Sequence, residues 1–288
     1  MTTQLLQAKR PDAGTIHWLN DCIKRADAGV FSEVITLTPG LAGELLRRNP
    51  ENRSLRDVKV RQFVQDIRDG RWVFNGEPFL ISKEGLLNDG QHRANAIVEA
   101  NVPITAILTF GVERDSRYTV DQGGARTASD YLSMQSIQNA TVQASIARQV
   151  IGYERSEGKS LKPSQFATNA EILQRVYTDP KIGDAAHFAA GHRKGSKLFA
   201  APAIIGFCFY VLSEIDADAG RKFMTQVCNG EGLRQKDPAY TIRDRLLSAG
   251  RVGAEMKAHI IFRGWNAFRQ NRTLAIAKVF DTGLPGLI

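Results

Sequence analysis

The chain has 288 residues, 43% of them hydrophobic, so two domains, or one domain with a helical extension, are expected. Three cysteines without metal-ligand or CxxC spacing indicate a reducing cytosol and no cysteine-based metal site. A start without an apolar signal core and the absence of an apolar run near a membrane span argue against a secreted or membrane protein and favour a cytoplasmic one. The formal charge is 0 over residues 1–133, with 17 basic and 17 acidic residues, and +8 over residues 134–288, with 21 and 13.

The first part alternates helical and strand-like patterns. Helices are predicted where apolar residues recur at the helical repeat, over residues 16–28, 41–48, 57–69 and 91–100. Strands are predicted where apolar and β-branched residues cluster, over residues 32–37, 78–82 and 104–110. A turn at Lys83-Glu84-Gly85 and the short apolar pair Leu86-Leu87 complete a hairpin.

The second part is predicted to be helical throughout. The helical patterns cover residues 127–134, 140–157, 169–177, 200–215, 219–228, 240–249 and 255–269. Polar stretches rich in Gly and Lys at residues 159–164 and 191–197 predict surface loops. Ile261, Trp265 and Phe268 have the spacing of a buried helical stripe, which favours a core role over base stacking. The predicted fold class is therefore α+β, a small α/β domain over residues 1–133 followed by an all-helical domain over residues 134–288.

The segment from Leu86 to Arg93 runs from a short strand through a glycine turn into a helix. Backbone amides and the positive end of the helix suit an anion there, and His92 and Arg93 add side-chain donors, so the segment predicts a phosphate site. In the alternative, Asp89 caps the helix and His92 and Arg93 are solvated residues of its first turn. Two successive basic residues at the N-terminal end of a helix interact unfavourably with the helix dipole, which favours a functional role for them over the alternative.

The run Asn88-Asp89-Gly90-Gln91-His92-Arg93 resembles the DGQHR motif of ParB/sulfiredoxin superfamily members from phages and other mobile elements. The resemblance covers roughly residues 53–110, where Glu77-Pro78-Phe79 looks like the first strand of the family. It implies a turn that binds nucleotide phosphates through Gly90, Gln91, His92 and Arg93, with an NTP and Mg²⁺ as ligands. Arg53, which stands where relatives carry an Asn-x-Arg-type box, is a second candidate phosphate contact.

Departures from the family pattern narrow what the resemblance implies. The turn has no cysteine before His92, so sulfinic-acid repair is not expected. It also lacks the double-Arg turn of chromosome-partition ParB proteins, so CTP specificity and clamp formation are not carried over.

Asp121-Gln122-Gly123-Gly124-Ala125-Arg126-Thr127 looks like the segment that follows the last strand in phage proteins of this type. Asp121 is a candidate metal ligand or base, Arg126 a candidate phosphate contact, and Thr127 a candidate cap for the following helix. In the alternative, Asp121 caps a turn and Arg126 pairs with Asp130.

The candidate catalytic residues are Asp89, His92 and Glu77, of which Glu77 would position Mg²⁺ or a water, or else is simply exposed. If the protein is an enzyme, phosphoryl chemistry is the expected class, either NTP hydrolysis or nuclease activity. Alternatives are a non-catalytic DNA-binding regulator and a small-molecule kinase on the same fold.

The basic excess of the second part favours an acidic partner, DNA first, because Lys and Arg that neutralise phosphates release counterions. The run His192-Arg193-Lys194-Gly195-Ser196-Lys197 is a candidate contact with a nucleic-acid backbone. A solvated basic surface without a partner is the alternative. The sequence thus predicts a nucleotide-binding, DNA-associated protein of phage or mobile-element type.

Overall fold

The computed structural model describes residues 14–50, 54–119, 126–230, 232–250, 252–276 and 283–288. It confirms the α+β class, with a small four-stranded sheet in the first part followed by helices. The chain divides into two compact units, Met1–Ala125 and Arg126–Ile288.

The first unit combines helices and strands at the predicted positions. In chain order they are α1 (Ile16–Arg25), β1 (Phe31–Leu37), α2 (Pro39–Arg47), α3 (Asp57–Arg68), β2 (Pro78–Ser82), β3 (Leu87–Asp89), α4 (Gln91–Ala100) and β4 (Ile104–Val112). The 3₁₀ segments are Ala26–Ala28 and Arg114–Thr119. Threonines begin two of the helices, since Thr15 Oγ1 accepts from Trp18 N at 3.1 Å and Thr38 Oγ1 accepts from Leu41 N at 3.3 Å.

The sheet has the order β1-β4-β2-β3. Strands β1 and β4 are antiparallel, as are β2 and β3, whereas β2 and β4 are parallel. A parallel pair needs a crossover, which here is provided by β3 and α4. Helices α2 and α3 both pack on α4. The connection from β3 to α4 therefore lies beside the start of β2, which is the geometry that positions the site described below.

Buried apolar side chains from the sheet and from the helices form the core of the first unit. The largest fully buried ones are Leu19, Ile35, Leu37, Leu45, Phe79, Ile81, Leu87 and Phe110. Along β4 the residues alternate between buried and less buried positions, which is the period expected of a strand with one face on the core.

The regular secondary structure of the second unit is helical in the residues that the structure describes. In chain order its helices are α5 (Ala128–Met134), α6 (Ala140–Arg155), α7 (Asn169–Thr178), α8 (Pro180–Gly191), α9 (Arg193–Ser196), α10 (Pro202–Ile215), α11 (Ala217–Asn229), α12 (Pro238–Ser248) and α13 (Ala254–Arg269), with a 3₁₀ turn at Lys162–Phe166. The division predicted after residue 133 falls inside α5, which packs on α6 and α7.

Two helices of this unit were not predicted. Helix α8 is rich in alanine and contains Gly183, so its apolar pattern is weak, although Asp179-Pro180 is a start signal: Asp179 Oδ1 accepts from Lys181 N at 3.1 Å. The predicted loop at residues 191–197 is wrong, because it contains α9. Ser196 in α9 is buried, and its hydroxyl donates to His192 O at 3.0 Å.

The core of the second unit is built on α10 and α13. Ile261 and Trp265 are fully buried and Phe268 packs against them partly buried, which confirms the predicted stripe. Cys208 and Cys228 are buried free thiols. None of the described helices is long and apolar enough to cross a membrane.

Candidate functional site

Gly90 turns the chain from β3 into α4. Its φ is 108°, and a Cβ added there would lie 2.4 Å from Phe79 Cδ1. Only glycine satisfies both the positive φ and the close approach of the ring. Gly90 is also the N-cap of α4 and provides no capping side chain, so the alternative in which Asp89 is the N-cap is wrong.

Arg93 lies in the first turn of α4 with only 7% of its side chain exposed. Its guanidinium donates to Glu77 O and to Pro78 O, both at 2.8 Å, and lies over the Phe79 ring with Cζ 4.6 Å from the centroid. It also donates to Asp89 Oδ2 at 3.0 Å. Arg93 thereby fastens the start of β2 to the start of α4, and the alternative of a solvated first-turn residue is wrong. A phosphate bound by Arg93 would share the guanidinium with these three acceptors.

Two carboxylates flank the Arg93 guanidinium. Asp89 is one turn before Arg93 and its side chain is 23% exposed. Glu77 Oε2 lies 3.7 Å from Arg93 Nη1, and the Glu77 side chain is 52% exposed. The predicted catalytic carboxylates are therefore brought together on one guanidinium, and the three groups carry a combined formal charge of −1.

His92 and Gln91 face the connection between α2 and α3. Arg56 N donates to His92 Nε2 at 3.1 Å, and Asn49 Nδ2 donates to Gln91 Oε1 at 3.1 Å. Because Nε2 accepts, the proton of the neutral imidazole is on Nδ1 in this arrangement. Both residues are buried, so here too the predicted nucleotide contacts are engaged with the protein itself.

Sequence reasoning included Asn88 in this corner without assigning it a role, and it missed Arg114. Asn88 Nδ2 donates to Glu113 O at 2.9 Å, and Arg114 Nη1 donates to Asn88 Oδ1 at 2.8 Å. Arg114 also donates to Leu87 O at 3.0 Å and to Pro50 O at 2.5 Å. Asn88 stood inside the recognised motif, but no local pattern pointed to Arg114, which follows β4.

The structure brings together Glu77, Asp89, Gly90, Gln91, His92 and Arg93. Arg126 belongs to the second unit, where it is exposed and its carbonyl accepts from Asn169 Nδ2 at 3.0 Å. Arg53 and Asp121 lie outside the described residues.

The segment after Arg126 forms the start of α5. Thr127 caps this helix, as predicted, and Asp130 closes a capping box by accepting from Thr127 N at 2.7 Å. These contacts lower the pKa of Asp130. Asp130, the residue considered as an ion-pair partner for Arg126, therefore has a structural role at the helix start.

Within the described ranges, no group of three or more His, Cys, Asp and Glu side chains has the arrangement of a metal site. Oxygen ligands are what Mg²⁺ prefers, and in the corner these are the carboxylates of Asp89 and Glu77.

No protein-family model matches the chain, and no curated protein and no solved structure matches it. The resemblance to the ParB/sulfiredoxin superfamily therefore depends on the turn residues themselves.

Proposed function

We propose that the protein is a nucleotide-binding, DNA-associated protein of ParB/sulfiredoxin type, as found in phages and mobile elements, whose nucleotide site is the corner from Asp89 to Arg93. The observation that carries the proposal is the turn at Gly90. It joins a strand to a ten-residue helix through a left-handed glycine, and its residues are the ones on which the family resemblance depends. Helix N-termini of this kind favour phosphate groups.

The charges of the corner define how a nucleotide would bind. Arg93, Asp89 and Glu77 together carry a formal −1, which opposes a bare polyphosphate. Mg²⁺ brought by the nucleotide offsets this charge, and the residues that would hold it are Asp89 and Glu77, in exchange for part of their pairing with Arg93. Bound Mg²⁺ would supply charge neutralisation between phosphate and carboxylate. Arg93 acts here as the positioning residue of the two carboxylates.

The DNA part of the proposal is supported by the charge of the second unit. Residues 126–288 hold 22 Lys and Arg against 14 Asp and Glu, a net +8, whereas residues 1–125 hold 16 of each. The whole basic excess thus belongs to the helical unit, where phosphate neutralisation by counterion release is favoured.

A specific observation favours a second candidate, a non-catalytic regulator that senses a nucleotide without turnover. Asp89 lies 3.0 Å from the buried Arg93 guanidinium, and Nε2 of His92 already accepts from Arg56 N. Groups engaged in this way are poor general bases until their contacts are exchanged. NTP hydrolysis or nuclease activity requires that exchange, whereas nucleotide sensing does not.

The test is calorimetric titration of ATP, CTP and GTP, with and without Mg²⁺, into the wild type, Asp89→Asn and Glu99→Gln. Glu99 is an exposed carboxylate at the far end of α4 and is the matched control. We expect binding of at least one Mg-nucleotide, weakened about tenfold or more by Asp89→Asn and less than about twofold by Glu99→Gln. Thermal unfolding of each variant verifies the fold.

Absence of nucleotide binding by the wild type, or equal affinity of the two variants, contradicts a nucleotide site at this corner. Hydrolysis and plasmid nicking, assayed on the same samples, separate the two candidates. Turnover lost in Asp89→Asn supports the enzyme, and binding without turnover supports the regulator.

A further inference from the structure

A stack of four side chains runs across α8, α10 and α11 in the second unit. The His192 ring lies on Phe188 with centroids 4.1 Å apart, Phe188 lies on Phe209 at 4.0 Å, and the Arg221 guanidinium lies over Phe209 at 5.2 Å. The two phenylalanines are buried, whereas His192 is half-buried and Arg221 is exposed. The three steps place His192 and Arg221 no more than about 13 Å apart.

Helix α9 is held firmly beside this stack. Arg243 Nη1 donates to Gly195 O at 3.1 Å, to Val227 O at 2.9 Å and to Cys228 O at 2.5 Å. A Cβ on Gly195 would lie 2.2 Å from Cys228 O, so the backbones of α9 and α11 are in close contact. One arginine thus satisfies the carbonyls at the end of α11 and sets the position of α9.

The result is an exposed basic surface at one side of the second unit, called here the α9–α11 surface. Its cations are Arg193, Lys194, Lys197, Arg221 and Lys222, all exposed. In the part of the chain that the structure describes, no carboxylate lies within 4.0 Å of any of them. The exposed acidic residues on α8, α10 and α11 are Asp184, Glu214 and Asp218, and Glu214 pairs with Lys181, so the surface keeps a net positive charge.

Other basic residues of this unit are neutralised by neighbours. Arg155 pairs with Glu171, Arg175 with Glu154, Lys181 with Glu214 and Arg269 with Asp216. Exposed cations without a carboxylate partner also occur elsewhere in the unit, among them Arg148, Lys162 and Arg272. The cations of the α9–α11 surface differ from these because they lie on or directly after two helices whose backbones are in close contact.

We propose that the α9–α11 surface is the DNA-contacting surface of the protein and that it binds the phosphate backbone of duplex DNA. The inference rests on the DNA association proposed above and deepens it. One strand of B-DNA carries about one phosphate per 3.4 Å of helix axis, so five cations on one surface can neutralise several successive phosphates. The aromatic rings of the stack are buried, so they position cations and are not offered to unstacked bases. Contacts of this kind are independent of DNA sequence.

The test compares two variants that remove the same charge from the full-length protein. R193Q/K194Q/K197Q removes three cations from the α9–α11 surface. R148Q/K162Q/R272Q removes three exposed cations from elsewhere in the same unit. Binding to a 30-base-pair DNA duplex and to a duplex RNA of the same length is measured by fluorescence anisotropy at several salt concentrations, without nucleotide.

We expect the α9 variant to weaken DNA binding about tenfold or more and to reduce the slope of log K against log salt by about 2 to 3, and the control to change affinity less than about threefold. R221Q/K222Q is expected to act in the same direction. Equal losses in the α9 variant and the control overturn the assignment of the surface while leaving DNA association standing. Absence of DNA binding by the wild type overturns both, and tighter binding of the RNA duplex overturns DNA as the partner.

Discussion

The dipeptide His-Arg occurs once in each unit, at His92-Arg93 and at His192-Arg193, with opposite fates. In the first unit both residues are buried and engaged with the protein. In the second unit His192 is half-buried on Phe188, and Arg193 points its charge to solvent. The same dipeptide thus links two elements of the fold in the first unit and lies at the surface in the second.

The two sites differ in which arginine donates hydrogen bonds to the main-chain carbonyls of the adjacent segment. At the first corner Arg93 itself reaches Glu77 O and Pro78 O. In the second unit Arg243, from a different helix, reaches Gly195 O and Cys228 O and so releases Arg193 from this role. The main-chain carbonyls near Arg193 are thus satisfied by a donor from another helix, and the Arg193 side chain stays exposed.

The largest loss of stability is expected from removing the Arg93 side chain. Arg93→Ala leaves two carbonyls and the Asp89 carboxylate without their donor and should lower the free energy of unfolding by about 3 to 5 kcal/mol. Arg193→Ala should change it by less than about 0.5 kcal/mol. Urea unfolding of both variants measures the difference, and a loss below about 1 kcal/mol for Arg93→Ala would contradict the linking role of Arg93.

The two close backbone approaches provide the next comparison. In Gly90→Ala the added methyl group would clash with the Phe79 ring at a φ of 108°, which should lower the free energy of unfolding by about 2 to 4 kcal/mol. In Gly195→Ala the added methyl group would clash with Cys228 O, which should lower it by about 1 to 3 kcal/mol. Gly191→Ala has open space around its Cβ and should be neutral or stabilise by up to about 1 kcal/mol. Thermal unfolding of the three variants tests this order, and a stable Gly90→Ala protein would refute the account of the turn.

Two buried thiols of the second unit, Cys208 and Cys228, make the stability of the protein depend on pH. Burial raises the pKa of Cys228 to about 12 and that of Cys208 well above its ordinary value of 9.0. Below pH 9 the thiols are protonated in both the folded and the unfolded protein. Above pH 9 the thiols of the unfolded chain lose their protons, whereas the buried thiols of the folded protein keep them. The free energy of unfolding therefore falls by about 1.4 kcal/mol per thiol for each pH unit. Urea unfolding between pH 8 and 10 should show that the free energy of unfolding falls less steeply with pH in Cys228→Ala than in the wild type. The same slope in both proteins would contradict the assignment of this pH dependence to the buried thiols.

The smallest effects are expected at the two carboxylates around Arg93. Asp89→Asn removes the partly buried ion pair with Arg93 and should lower the free energy of unfolding by about 1 kcal/mol. Glu77→Gln loses a longer contact on a half-exposed side chain and should cost less than about 0.5 kcal/mol. Chemical denaturation measures both, and a larger loss for Glu77→Gln would reverse the ranking of the two contacts.

Much of the fold could be predicted because its signals are local. The bounds of β2 and α4 agree with prediction to the residue, and the apolar repeat located α3, α6 and α13. Helix α8 was missed because its alanines and Gly183 give a weak repeat, and α9 because four polar residues carry no periodic signal. Thr127 was recognised as a cap from its place before an apolar helix.

The sequence by itself determined the α+β class, the positions of most helices and strands, the glycine turn before α4 and the location of the basic excess. These follow from periodicity, turn chemistry and composition, which act over a few residues. Only the tertiary structure decided that Arg93 and Arg114 bind main-chain carbonyls and that Arg243 frees Arg193. The acceptors come from segments distant in the chain, so which donor reaches them depends on how the elements pack, and no local pattern records it.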